Sequence, residues 1–137
     1  MVFTILLIET ISDIKSRSLS ALRIAIYMVA AIALNLVFYY QSLWSMAGGM
    51  VVGGLMLLYA FITKEGIGYG DALMFVVLGA LVGLSQNIKI LFFSLLTAAV
   101  SGGIYALIKH KSIKTQIPFI PCILATYMIM CILEVVL

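Results

Sequence analysis

The sequence predicts an all-α, polytopic membrane protein folded as a bundle of six transmembrane helices. Of its 137 residues, 65% are hydrophobic and 9% are charged, whereas soluble domains contain about 45–50% apolar and about 25% charged residues. This composition excludes a soluble globular fold. Six spans of about 20 residues would take roughly 120 positions, so we expect a single integral-membrane domain over residues 1–137 with short loops.

Six apolar runs separated by short polar breaks define the predicted spans. The first run is too short to cross the hydrocarbon core, and we expect its helix to continue past Asp13. Small residues four apart predict close helix packing in the third and fourth spans, at Gly49 with Gly53 and at Gly79 with Gly83. The six runs are residues 1–11, 24–40, 46–62, 72–84, 90–108 and 117–137.

Positive charges predict the orientation of the chain. All lysines and arginines except Lys89 lie in the first, third and fifth breaks. Cytoplasmic loops carry an excess of Lys and Arg, so these breaks are predicted to be cytoplasmic and both termini extracytoplasmic. We therefore expect a multi-pass protein of the cytoplasmic membrane, and the net charge of +3 gives no indication of nucleic-acid binding. The cations concerned are Lys15, Arg17, Arg23, Lys64, Lys109, Lys111 and Lys114.

Two aspartates are the candidate catalytic groups. Asp13 follows the first run and Asp71 begins the fourth, both on the predicted cytoplasmic side. Two close carboxyl groups share a single proton. The ionised group can then take a proton from water while the protonated one polarises a peptide carbonyl. Metal-free aspartyl proteolysis is one hypothesis, and ion pairs of Asp13 with Arg17 and of Asp71 with Lys64 are the alternative.

Glycines and prolines flank the candidate site. Gly66, Gly68 and Gly70 precede Asp71 at alternate positions and permit positive φ and close backbone approach. Such an edge could hold an extended peptide by strand-like pairing. Pro118 and Pro121 fit the first turn of a helix, where they form either a sharp helix start or a rigid wall beside the site.

Three motifs occur in order along the chain: Asp13 with Arg17 four residues later, Glu65-Gly66-Ile67-Gly68-Tyr69-Gly70-Asp71, and Ile117-Pro118-Phe119-Ile120-Pro121. Together they resemble the motifs of the type IV prepilin leader peptidases and preflagellin peptidases, which are GxGD intramembrane aspartyl proteases. The motifs span nearly the whole chain. Their joint occurrence is far more specific than a GxGD sequence alone.

The resemblance implies an aspartic endopeptidase in which Asp13 and Asp71 are catalytic and no cofactor is needed. It also implies the partners: the lipid bilayer and pilin-like precursors, whose short basic leader peptide is cut on the cytoplasmic side before a long apolar helix. These precursors are prepilins, pseudopilins or archaellins. The residues expected to contact substrate are Gly68, Gly70, Pro118, Phe119, Pro121, Glu65 and Arg17.

The sequence departs from the family pattern in two places. Leu19-Ser20-Ala21 replaces the usual Ile-Pro-Asn, and Leu73 replaces a Lys commonly found two residues after the second acid. The four-cysteine module of larger bacterial relatives also has no counterpart here. We therefore expect a short-form peptidase that does not N-methylate its product.

Several other side chains are expected to serve packing. Ser94, Thr97 and Ser101 share one helix face and are predicted to point inward. Cys122 and Cys131 face opposite sides of a helix, so neither a mutual disulfide nor a shared metal site is expected.

Two other function classes stay open from the residues alone. A small transporter or proton channel would use Glu9, Asp13 and Asp71 as a relay, although these acids cluster toward one membrane face. A non-catalytic subunit of a pilus or secretion assembly would tolerate loss of both aspartates. Glu9 shares a helix face with Asp13, and it would either tune the acid pair or form an interhelical hydrogen bond.

Overall fold

The computed structural model describes residues 1–16, 20–64, 68–109 and 119–137. The described elements are all α-helices, which confirms the all-α prediction, and these residues contain no strand. The helices are α1 (Val2–Ser16), α2 (Ala21–Phe38), α3 (Leu43–Ile62), α4 (Tyr69–Lys109) and α5 (Ile120–Val136).

The helix lengths do not support the predicted count of six spans. Among the helices that the structure describes, three, α2, α3 and α4, are long and apolar enough to cross a membrane. The helices α1 and α5 have 15 and 17 residues, which at about 1.5 Å per residue falls short of the roughly 30 Å hydrocarbon core. The first helix does continue past Asp13, as expected, and it ends at Ser16.

The fourth and fifth apolar runs are joined within α4 and not separated by a polar loop. Residues 85–89, expected to form that loop, are helical. The helix is interrupted only at Gly83, with φ 81° and ψ 178°, a backbone conformation that side chains with a Cβ rarely adopt. We call residues 69–82 the first arm of α4 and residues 84–109 the second arm.

The chain reverses direction at Gly83. The side-chain amide of Asn87 donates a hydrogen bond to the carbonyl oxygen of Phe75 over 3.1 Å. Twelve residues of a straight helix would separate these groups by about 18 Å. The contact therefore requires the beginning of the second arm to fold back along the first. The first arm itself is about 21 Å long and is too short to cross the hydrocarbon core.

The chain divides into two compact units, and the boundary lies within α4, between Lys89 and Ile90. One unit comprises α1 from Phe3, the part of α4 from Ile90 onward, and α5. Its interior is polar for a chain of this composition. Ser94 is fully buried, Thr97 contacts Thr126 with 3.4 Å between their hydroxyl oxygens, and Ser101 lies 4.0 Å from the Cys122 sulfur. The inward prediction for this serine and threonine stripe is thus confirmed.

The other unit comprises α2, α3 and α4 up to Lys89, and glycines bring α3 against the first arm. A Cβ on Gly49 would overlap the backbone of Gly79, and one on Gly53 would overlap the backbones of Phe75 and Val76. The predicted close packing is confirmed for Gly49, Gly53 and Gly79. The fourth of these glycines, Gly83, serves as the helix break.

The glycine contact predicts opposite effects for two alanine substitutions on α3. Gly49→Ala should lower the free energy of unfolding by about 1–3 kcal/mol because the new methyl group forces the two backbones apart. Gly54→Ala adds the same methyl group where no atom lies within 4 Å, so it should be neutral or stabilise the helix by up to about 1 kcal/mol. Reversible unfolding in mixed micelles measures both variants, and equal effects would contradict the packing described here.

Candidate active site

Asp71 lies in the first turn of α4 and is half-buried. The helix begins just after Gly68, whose carbonyl oxygen accepts the first hydrogen bond, from the Ala72 amide at 3.2 Å. Gly68 is exposed and Gly70 is half-buried. The acid thus sits at the very start of the first arm, directly after an accessible stretch of backbone.

Gly68 leaves space for the carboxyl group of Asp71. A Cβ built at Gly68 would lie 3.1 Å from Asp71 Oδ2 and 3.7 Å from Asp71 Cγ. A side chain at position 68 would therefore press on the carboxylate. The first glycine of the GxGD sequence is needed here because of this close approach.

The packing of the first arm on α3 sets the level of Asp71. The contacts of Gly49 with Gly79 and of Gly53 with Val76 show that the two segments are antiparallel. Asp71 is five residues before Val76, so it lies level with Leu58, five residues after Gly53. This level is four residues, or about 6 Å, inside the end of α3 at Ile62.

Asp13 lies near the C-terminal end of a helix, whereas Asp71 lies near an N-terminal end. Asp13 is half-buried in the last turn of α1, which also contains Lys15. Glu9, one turn earlier on the same helix face, is fully buried. The last carbonyl groups of a helix carry partial negative charge, whereas the first amide groups carry partial positive charge. The backbone of α4 therefore favours a negative charge on Asp71, while that of α1 disfavours one on Asp13.

The start of α5 carries the remaining described residues of the third motif. Phe119 is the N-cap, and its carbonyl oxygen accepts hydrogen bonds from the amides of Cys122 and Ile123 at 3.0 and 3.2 Å. Pro121 lies in the first turn, where its missing amide proton costs no helical hydrogen bond. The prediction that a proline occupies the first turn is confirmed for Pro121.

The predicted site residues fall into three groups. Asp71, Gly68 and Gly70 belong to the unit that contains α2 and α3, and the structure brings Gly68 and Asp71 into contact. Asp13, Phe119 and Pro121 belong to the other unit. The remaining three, Arg17, Glu65 and Pro118, lie outside the described residues.

Within the described ranges, no group of three or more His, Cys, Asp or Glu side chains is placed to hold a metal ion.

Sequence reasoning missed a set of polar residues around Gly83, namely Gln41, Ser45 and Asn87. Their side chains bond to backbone groups of α4 or α3. The only signal in the sequence was the presence of amide side chains beside strongly apolar runs.

These features define the class of protein: a membrane protein whose described elements are helices and whose GxGD aspartate begins a helical arm. A sequence profile of the type IV leader peptidase family matches residues 1–107, and the chain belongs to this family. The resemblance to this family is thereby confirmed. The match includes both Asp13 and Asp71, and the third motif lies beyond the matched residues. No curated protein matches the chain significantly. No solved structure matches it either.

The contact between Gly68 and Asp71 predicts a selective loss of peptidase activity in Gly68→Ala. The added methyl group displaces the carboxylate by a few tenths of an ångström, and since a 1 Å misplacement can cost about a hundredfold in rate, we expect kcat to fall by about tenfold. The matched control is Gly103→Ala, where no atom lies within 4 Å of the added Cβ. Cleavage rates and thermal unfolding midpoints of both purified variants test this, and an unchanged kcat in Gly68→Ala would refute it.

Proposed function

We propose that this member of the leader peptidase family is an aspartic endopeptidase that removes the short basic leader of type IV pilin-like precursors. One observation carries the proposal: Asp71 begins the first arm beside Gly68, whose missing side chain leaves room for the carboxyl group. The family match supports it because the matched residues contain both acids. We propose that Asp13 and Asp71 act together, so residues 1–137 would act as a single peptidase domain.

The proposed chemistry needs one ionised and one protonated carboxyl group. We assign the negative charge to Asp71, because it lies in the first turn of α4, where the helix dipole stabilises an anion. We assign the proton to Asp13, in the last turn of α1. Asp71 would then take a proton from the attacking water, and Asp13 would donate a hydrogen bond to the scissile carbonyl oxygen.

The substrate peptide must be extended at the bond that is cut. A helical peptide uses its backbone groups internally, and the exposed backbone at Gly68, directly before α4, offers an edge for strand-like pairing. We propose that Gly68 and Gly70 hold the peptide, while Phe119 and Pro121 at the rigid start of α5 form a wall beside it. Arg17, Glu65 and Pro118 complete the proposed substrate-contacting set, with Glu65 attracting the basic leader.

We further propose that cleavage occurs on the cytoplasmic side. Lys15 shares the last turn of α1 with Asp13, and Lys64 lies seven residues before Asp71. Each candidate acid thus has a positive charge near it in the sequence, and Lys109 ends α4 before the third motif. This pattern is typical of cytoplasmic loops. The extracytoplasmic end would contain the exposed aromatic residues Tyr40 and Trp44, together with both chain termini. The membrane itself would be the cytoplasmic membrane.

The proposal predicts that Asp13→Asn and Asp71→Asn each lower kcat/KM by at least about a thousandfold, a loss of roughly 4 kcal/mol of transition-state stabilisation. The test is a gel-shift assay of purified protein in lipid vesicles with a pilin-like precursor. Glu134→Gln, the same chemical change at an exposed acid of α5, is the matched control and should keep full activity. Full activity in either aspartate variant would refute the acid pair.

The charge of the leader should matter to the same reaction. Replacing the leader's lysines and arginines with glutamines should raise KM severalfold, because the attraction to Glu65 is lost. Changing Glu65 to Gln in the enzyme should then have little further effect on this neutral leader. A double-mutant cycle measures the coupling between the two changes. Additive effects on the binding free energy would contradict direct contact.

Orientation can be measured separately from activity. In a variant with Cys122→Ala and Cys131→Ala, a cysteine at Lys64 should react with an impermeant maleimide only from the cytoplasmic side. A cysteine at Trp44, which is 90% exposed, should react only from the other side. Labelling is compared in intact cells and inverted vesicles. If the cysteine at Lys64 reacts only from the extracytoplasmic side and that at Trp44 only from the cytoplasmic side, the proposed orientation is wrong.

A further inference from the structure

The break at Gly83 separates a backbone donor from its normal acceptor. In an uninterrupted helix the Leu84 amide would donate to the Ala80 carbonyl oxygen. Instead, Gln41 Nε2 donates to the Ala80 oxygen over 2.7 Å, and the Leu84 amide donates to Ser45 Oγ over 3.3 Å. Two side chains thus replace one helical hydrogen bond. An unpaired backbone group in lipid costs several kcal/mol.

Asn87 forms a second polar connection at the same place. It is fully buried, and its Nδ2 donates to the carbonyl oxygens of Gly49 at 2.8 Å and Phe75 at 3.1 Å. Gly49 belongs to α3, and Phe75 is one helical turn after Asp71. A single amide group therefore joins α3, the first arm and the second arm. We call Gln41, Ser45 and Asn87 the Gly83 clamp.

The glycine contacts and the clamp constrain the first arm differently. Backbone contacts at Gly49 and Gly53 set how closely the arm approaches α3, but van der Waals contacts depend weakly on direction. Hydrogen bonds require donor and acceptor to be aligned, so the clamp fixes sliding and rotation of the arm. Interhelical hydrogen bonds in membranes contribute only about 0.6 kcal/mol on average. Stability alone therefore does not require the Asn87 bonds, whose acceptor residues lie inside helices.

We infer that Gln41, Ser45 and Asn87 are positioning residues that hold the first arm in register on α3 and thereby fix the level and direction of the Asp71 carboxyl group. This inference rests on the proposed function, since it assigns the clamp to the peptidase reaction. Asp71 and Phe75 share one face of the arm, four residues apart. If loss of the Asn87 bond lets the first arm rotate at Phe75, Asp71 therefore rotates with it.

The first test separates positioning from stability. Asn87→Leu keeps the side-chain volume and removes both donated hydrogen bonds, and Gln41→Met does the same for the bond to Ala80. Because a 1 Å misplacement of a catalytic group can cost about a hundredfold, each should lower kcat by about ten- to a hundredfold, with KM changed by less than about threefold. Asn87→Gln restores an amide and should recover part of kcat.

The matched control for this test is Ser42→Ala. Ser42 caps α3 by accepting a hydrogen bond from the Ser45 amide at 3.2 Å, so its loss should destabilise α3 by about 1 kcal/mol and leave the clamp in place. We expect Ser42→Ala to lower the unfolding midpoint without changing kcat. If kcat instead follows the unfolding midpoint across all four variants, the clamp is merely structural and the inference is overturned.

A second measurement does not depend on activity. Spin labels on cysteines at Trp44 and Tyr69, in a background with Cys122→Ala and Cys131→Ala, report the distance along α3 and the first arm by pulsed electron paramagnetic resonance. Asn87→Leu should broaden or shift the distance distribution, and an unchanged distribution overturns the inference. If the unsubstituted protein cleaves no precursor, the proposed function fails, while this distance measurement still decides whether the clamp holds the arm.

Discussion

The contact between the backbones of α3 and the first arm of α4 is the constraint on which the position of Asp71 depends. Gly49 against Gly79 and Gly53 against Phe75 and Val76 bring the two segments closer than any side chain would allow. The first arm is too short to cross the hydrocarbon core, so its length alone cannot set its level. Packing on α3 sets that level, and the level of Asp71 follows from it.

The break at Gly83 explains how a short arm is tolerated in an apolar environment. Positive φ at Gly83 ends the arm, and Gln41 and Ser45 bond to the backbone groups that the break leaves without helical partners. Asn87 adds a buried connection to α3. Amide side chains are costly in lipid, so their concentration around one glycine indicates a need for directional bonds at this point. The register they impose is transmitted along the arm to the acid.

Each candidate acid lies within one turn of a helix end. Asp71 is in the first turn of α4 and Asp13 in the last turn of α1. Helix ends near a membrane surface can be reached by water, which proteolysis requires and the hydrocarbon core excludes. The opposite polarity of the two ends also distinguishes the carboxyl groups. In the proposed pair, the two carboxyl groups would thus have different environments, as an acid and a base working together require.

Several of the described features could be predicted from the sequence, because they depend on short motifs with local meaning. The GxGD sequence singled out Asp71 and Gly68 as candidate residues, and small residues four apart predicted the close packing at Gly49, Gly53 and Gly79. The helical content followed from the apolar runs.

The sequence was misleading where the outcome depended on contacts between distant segments. Residues 85–89 look like a loop in composition, yet they are helical, because Gly83 alone makes the reversal. The spacing of Gly83 from Gly79 predicts a packing residue, whereas the structure gives it a positive φ, which leaves no mark in the sequence. The Gly83 clamp joins residues about 40 positions apart, and no local pattern reports such pairing. The predicted count of six spans is not supported for a related reason: apolar runs do not reveal that α1, α5 and the first arm are too short.

The most direct test of the central claim is whether the carboxyl groups of Asp13 and Asp71 meet. With Cys122 and Cys131 replaced by alanine, Asp13→Cys and Asp71→Cys are combined in one chain and oxidised in lipid vesicles with an uncut precursor. Disulfides require Cα atoms within about 7 Å, and Thr97→Cys with Thr126→Cys, whose native hydroxyls lie 3.4 Å apart, is the positive control. The account predicts an intramolecular disulfide between positions 13 and 71. Efficient oxidation of the control pair without any linkage between 13 and 71 would contradict it.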